Sequence, residues 1–173
     1  MRELYGVARI VGLDVGERRI GLAVSDASAT LARPLGVVTV STLGAAAVAA
    51  VVKEIGRHID ADDAIDGVVV GLPRRLDGSA NAMTPRVQSF AAVLHEKTGY
   101  AIHFQDERLS SREAESRLAL REKSWRARKA RLDAAAAAII LQDYLDTRSV
   151  PLHSDPRDGA AAEDADWDPD GDL

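Results

Sequence analysis

Three acids in this chain stand where they could do chemistry. Asp14 lies in Gly12-Leu13-Asp14-Val15-Gly16, Glu107 lies in Gln105-Asp106-Glu107-Arg108, and Asp133 follows Leu132 at the head of an alanine run. Carboxylates brought to one place repel one another unless a cation neutralises them. Hard oxygen donors suit Mg²⁺ or Mn²⁺. Two such ions about 4 Å apart activate a water and stabilise the leaving oxygen in phosphodiester hydrolysis. Convergence of Asp14, Glu107 and Asp133 would therefore make a metal-dependent nuclease site. Each acid also has a plain structural explanation. An Asp before Gly forms turns, an Asp at a helix start caps it or meets its dipole, and Glu107 has Arg108 and Arg112 beside it as ion-pair partners. Spacing alone does not join the three.

The surrounding elements decide whether they can meet. Arg9–Asp14, Ile20–Ser25 and Leu35–Val40 are short, rich in Val and Ile, and separated by Gly, Asp, Ser and Pro, which predicts three strands. Their close spacing predicts an antiparallel meander, because a parallel crossover needs a dozen or more residues. Over Leu43–Ile59 the apolar residues Val48, Val52, Ile55 and Ile59 form one helical face. Ile65–Gly71 is an apolar run suited to a fully buried strand. Thr84-Pro85 predicts an N-cap and first helical position, with Val87, Phe90, Ala91 and Leu94 inward and Gly99 closing the helix after about Lys97. Tyr100–Gln105 is a fifth strand, Ser110–Glu122 a polar helix, Lys123–Arg128 a loop, and Leu132–Asp146 an apolar helix. This order predicts an α/β fold with a mixed five-stranded sheet covered by helices. Asp14 and Glu107 then meet if strands one and five are neighbours. Asp133 opens the last helix and shares a face with Ala137, Ile140 and Tyr144, which would aim its carboxylate inward.

At 173 residues the chain has the size of one domain, and it has no cysteine. Disulfides and cysteine-held metals are excluded, which fits a reducing cytoplasm. No signal peptide is expected at the N-terminus, and the longest apolar run, around Ala134–Leu141, is too short to cross a bilayer. The net charge of −5 is unevenly placed: the last 23 residues hold eight acids and one arginine, which leaves the first 150 at +2. The expected organisation is a nuclease-sized domain over 1–150 and an acidic, disordered tail over 151–173.

Four blocks carry a family resemblance. They are Gly12-Leu13-Asp14-Val15-Gly16 with Arg19–Asp26; Val69-Val70-Gly71-Leu72-Pro73 with Asp77-Gly78-Ser79; Asp106-Glu107-Arg108-Leu109-Ser110-Ser111 with Glu113-Ala114; and Arg128-Lys129 with Leu132-Asp133, Ala136–Leu141 and Tyr144-Leu145. In this order, over about residues 8 to 147, they resemble the YqgF/RuvX family of the RNase H-like superfamily. The resemblance implies an RNase H-like fold, a cytoplasmic divalent-metal nuclease, and Asp14, Glu107 and Asp133 as metal-binding catalytic acids. Glu17 stands where the family often has Thr and adds an acid near Asp14, and Ala134 replaces a frequent Lys or Ser. The acidic tail lies outside the family pattern.

Between Glu107 and Asp133 runs a basic segment. Arg108, Arg112, Arg117, Arg121, Lys123, Arg126, Arg128, Lys129 and Arg131 face only Glu113, Glu115 and Glu122. Phosphate contacts supply most non-specific nucleic-acid affinity, so this segment is expected to hold a nucleic-acid backbone, with Trp125 available to stack on a base. A solvated helix with a Glu113–Arg117 pair is the structural alternative. His58, His95, His103 and His153 have no metal-ligand spacing.

The resemblance implies an endonuclease that processes the 5′ end of precursor 16S rRNA, with resolution of four-way DNA junctions as the alternative, acting as a monomer or homodimer without membrane contact. A junction resolvase would need a symmetric dimer. Asp14-Val15-Gly16 also resembles the phosphate loop of actin-like kinases, but those need two such domains and this chain holds one. A non-catalytic nucleic-acid-binding module on the same fold is the other alternative.

Overall fold

The structure, a computed structural model, describes residues 8–61, 63–107 and 125–149. The elements run β1 (Ala8–Val15), β2 (Arg19–Ser25), β3 (Ala32–Thr39), α1 (Ala45–His58), β4 (Ala64–Leu72), α2 (Thr84–Thr98), β5 (Ile102–Asp106) and α3 (Trp125–Ser149). The sheet order is β3-β2-β1-β4-β5. β1, β2 and β3 form the antiparallel meander, while β4 pairs parallel with β1 and β5 parallel with β4. This is the mixed five-stranded sheet that the element order implies.

Strand alternation sorts the side chains onto two faces. Val11, Leu13 and Val15, Ile20, Leu22 and Val24, and Val68, Val70 and Leu72 join α1 and α2 in one apolar core. Ile10, Ala23 and Val69 meet Ala137, Ile140, Leu141 and Leu145 of α3 in the other. β4 is central and covered on both sides, which is why it reads as an uninterrupted apolar run. Asp14 has the parity of Ile10 and Gly12, so it lies on the α3 face.

Several boundaries differ from the sequence expectations. Thr84 is not the N-cap of α2 but its first residue, after Met83. Its hydroxyl donates to the Pro73 carbonyl at 2.5 Å, and the Asn81 side chain accepts the backbone N–H groups of Met83 and Thr84. The upstream Asn provides the capping oxygen, leaving Thr84 to tie the helix to the end of β4. Gly99 ends α2 as expected, at φ 73°.

The larger correction concerns α3. It begins at Trp125, so residues 125–128 are helix and not loop, and Asp133 does not open the helix but sits about two turns inside it. The charged stretch hid the start, since Arg and Lys are good helix formers that leave no apolar stripe. The helical-face argument holds nonetheless. Ala137 and Ile140 are buried, and Tyr144 packs its ring on His103 of β5 at 5.2 Å between centroids. The expected helix at Ser110–Glu122, the side chains of Arg108, Arg112, Arg117, Arg121 and Lys123, and the acidic tail lie outside the described residues.

Candidate active site

β1, β4 and β5 are parallel and end together at Val15, Leu72 and Asp106. Asp14 and Glu107 therefore arrive at the same edge of the sheet. They are not on neighbouring strands, as a direct meeting would require: β4 lies between β1 and β5. The two side chains are nevertheless hydrogen-bonded. Gly71 of β4 makes this possible. A methyl group there would collide with Glu107 Oε1 and would stand 2.7 Å from Ile140 Cδ1. Glu107 reaches Asp14 through the space that the missing side chain leaves. A glycine ending a buried valine strand is the sequence signal for such close approach.

Asp133 is placed by the same device. Asp14 pairs in register with Gly21 of β2. A Cβ on Gly21 would overlap the Asp133 carbonyl oxygen and lie 2.6 Å from its carbonyl carbon. Without a side chain at 21, the α3 backbone settles directly on the sheet beside Asp14. Arg19, two residues along β2 on the same face, meets Asp133, with Nε 3.1 Å from Oδ2. The contact is one of charge without hydrogen-bond alignment, and Oδ2 remains a buried oxygen with no hydrogen-bond partner. Sequence reading did not single out Arg19, although its parity with Gly21 was available.

The electrostatics follow from this crowding. Glu107 is pushed up to about 8, first by burial, then by the Asp14 charge and by its hydrogen bond to Asp14. Burial raises Asp14 as well, and the Asp133 charge adds to that, while the hydrogen bond from Glu107 opposes it. Asp133 is raised by burial, with the Arg19 charge opposing. Near neutral pH the Asp14–Glu107 pair thus retains a proton, held by Glu107 and donated to Asp14. Among the described residues, no three Asp, Glu or His side chains are gathered closely enough to coordinate one ion as they stand. Asp133 is adjacent but turned to Arg19.

Two other acids, Glu17 and Asp26, have separate duties. Glu17 Oε1 accepts a hydrogen bond from Arg86 of α2 at 2.5 Å, linking the β1–β2 turn to that helix. Asp26 organises the β2–β3 loop by accepting from the Ser28 hydroxyl and the Thr30 and Leu31 N–H groups, which hold it well below the usual carboxylate range. Of the basic segment, Lys129 and Arg131 lie on α3 upstream of Asp133, and Trp125, Arg126 and Arg128 belong to its first turns. Exposed Arg18 follows β1, and exposed Arg74 and Arg75 follow β4, so further cations surround the carboxyl ends of these strands. An apolar groove between β3 and α3, lined by Pro34, Val37, Ala130 and Ala134, opens on the β3 side and includes none of the three acids.

A mixed sheet of this order, with acids from the ends of β1 and β5 meeting across β4 and a third acid delivered by a helix, is the arrangement of an RNase H-like fold. The chain belongs to the family described as "RuvX: Holliday junction resolvase", whose profile matches residues 8–147. A protein of Anaeromyxobacter sp. (strain Fw109-5) named "Putative pre-16S rRNA nuclease" is 44% identical over 144 residues, covering 81% of this chain and 98% of that one. A protein of the same name from Picosynechococcus sp. (strain ATCC 27264 / PCC 7002 / PR-6) is 41% identical over 140 residues, covering 80% and 92%. Among solved structures, RuvC of T. thermophilus in complex with Holliday junction substrate aligns with a TM-score of 0.45 at 20% identity, covering 82% of this chain and 95% of that one.

Proposed function

We propose that this chain is a divalent-metal-dependent endonuclease that trims the 5′ end of precursor 16S rRNA. The observation that carries the proposal is the meeting of Asp14 with Glu107 across Gly71, with Asp133 set beside them over Gly21. The acid site fits a divalent cation on chemical grounds. Its donors are hard oxygens, Asp14 and Glu107 retain a proton where an ion would leave both charged, and Asp133 Oδ2 is a buried oxygen lacking a partner. Asp14, Glu107 and Asp133 would hold Mg²⁺ or Mn²⁺. A bound ion would supply Lewis acidity and a more acidic water to the phosphodiester.

The chain's own residues do the rest. Gly71 and Gly21 fix the approach of Glu107 and Asp133. Glu107 gives up its proton when the site is filled. Lys129 and Arg131, with the basic residues from Arg108 to Arg128, hold the phosphate backbone. Arg18, Arg74 and Arg75 extend that hold around the strand ends. A cytoplasmic location follows from an rRNA substrate. Among the described residues, no helix is long and apolar enough to cross a membrane.

The family description favours a second reading, cleavage of four-way DNA junctions, which would need a homodimer with two sites. One experiment tests both: cleavage of precursor 16S rRNA and of four-way junctions with Mg²⁺ or Mn²⁺, comparing wild type with Asp14→Asn. Metal-dependent cutting of the RNA that the variant loses is expected. Preferential cutting of the junction by a dimer would select the second reading, and a variant as fast as wild type would reject the site. Binding of either substrate without cleavage would leave the non-catalytic module.

A further inference from the structure

Arg19 has no assigned part in this chemistry, yet it is fixed against one of its acids. It is the first residue of β2, and its carbonyl accepts the Gly16 N–H at 2.9 Å across the β1–β2 turn. Its partner is fixed too, because the Asp133 backbone rests on Gly21. Neither side chain is a free surface group: they are 27% and 28% exposed. A guanidinium beside a carboxylate usually makes aligned, often paired, N–H···O bonds. Here Nε lies 3.1 Å from Oδ2, but that oxygen gains no hydrogen bond. The arginine supplies charge and leaves the lone pairs of a buried oxygen unused. A metal ion, unlike a guanidinium, has no N–H direction to satisfy and would use them.

We propose that Arg19 is the resident counter-ion of the site, holding Asp133 while no divalent ion is bound and yielding that carboxylate to the ion. This rests on the metal-site reading above. Arg19 is then a positioning residue with a measurable cost to ion binding, since the ion must displace a like charge. An arginine that merely braces α3 would have the opposite signature, because losing the brace would loosen Asp133 and weaken the ion.

Mn²⁺ binding to the full chain, measured by calorimetry and by the electron paramagnetic resonance of the free ion, separates these. Asp14→Asn should abolish binding and so place the ion at the acids. Arg19→Gln should bind Mn²⁺ on the order of tenfold more tightly, and Arg19→Lys, which keeps the charge, should stay within about twofold of wild type. Arg19→Gln binding equal to or weaker than wild type overturns the counter-ion role and leaves the metal site standing. Wild-type protein with no binding sensitive to Asp14→Asn overturns both. Should Arg19→Gln fail to fold, wild type answers by NMR during Mg²⁺ titration. The Arg19 Nε–H resonance is expected to shift and exchange faster with solvent, and an unmoved resonance overturns the proposal.

Discussion

Replacing Glu107 by Gln should stabilise the metal-free protein at alkaline pH while destroying its activity. Glu107 ordinarily titrates at 4.5 and is pushed up to about 8 in the fold. Between those values the native state binds more protons than the unfolded chain, so stability must fall as pH rises. At 1.36 kcal/mol per pH unit the whole interval amounts to about 5 kcal/mol, and the partial exposure of the site reduces this to roughly 2–4 kcal/mol. Asp14 and Asp133 are raised too, so their contributions have the same sign. The amide introduced by Glu107→Gln keeps a neutral hydrogen-bond donor toward Asp14 but has no proton to lose. Urea unfolding in EDTA from pH 5 to 9 measures the effect, and the difference between wild type and variant isolates the contribution of position 107. The two proteins should be close in stability at pH 5, with the variant roughly 2–4 kcal/mol more stable at pH 9. Saturating Mn²⁺ should restore wild type at pH 8 and leave the variant nearly unmoved. A difference that stays constant across pH would refute the claim that Glu107 is protonated in the folded, metal-free site.

Other perturbations act on separate parts of this arrangement. Gly71→Ala should cost about 1–3 kcal/mol by overpacking against Glu107 and Ile140, and cleavage should fall much further, since Glu107 loses its route to Asp14; a melt and a cleavage rate on the same sample decide it. Gly21→Ala meets backbone, which cannot swing aside, so it should exceed the cost of Gly71→Ala and reach at least about 3 kcal/mol in a denaturant titration. Nucleic-acid binding should weaken steeply between about 50 and 200 mM salt, whereas equal affinity at both would argue against a phosphate-holding basic surface. Removing residues 151–173 is expected to tighten binding if the acidic tail competes with nucleic acid for the basic segment, and unchanged affinity would dismiss that role.

What the sequence determined by itself was local and periodic. Alternation within β1 puts Asp14 on the face of Ile10 and Gly12, helical spacing puts Asp133 on the face of Ala137 and Ile140, and the buried valine run marks β4 as a covered strand. Those patterns arise from backbone geometry that repeats over a few residues, so they are written into the chain. The order of strands is not. β4 inserts between β1 and β5, so Asp14 and Glu107 meet only because Gly71 leaves a gap between them. The start of α3 was hidden in charged residues, which form helix without an apolar stripe to announce it. Asp133 is therefore not a helix cap but an interior residue pressed onto Gly21. Its partnership with Arg19 depends on two close approaches between segments far apart in sequence. Contacts of that kind are fixed by how helices and sheet pack together, and periodicity within any one element carries no record of them.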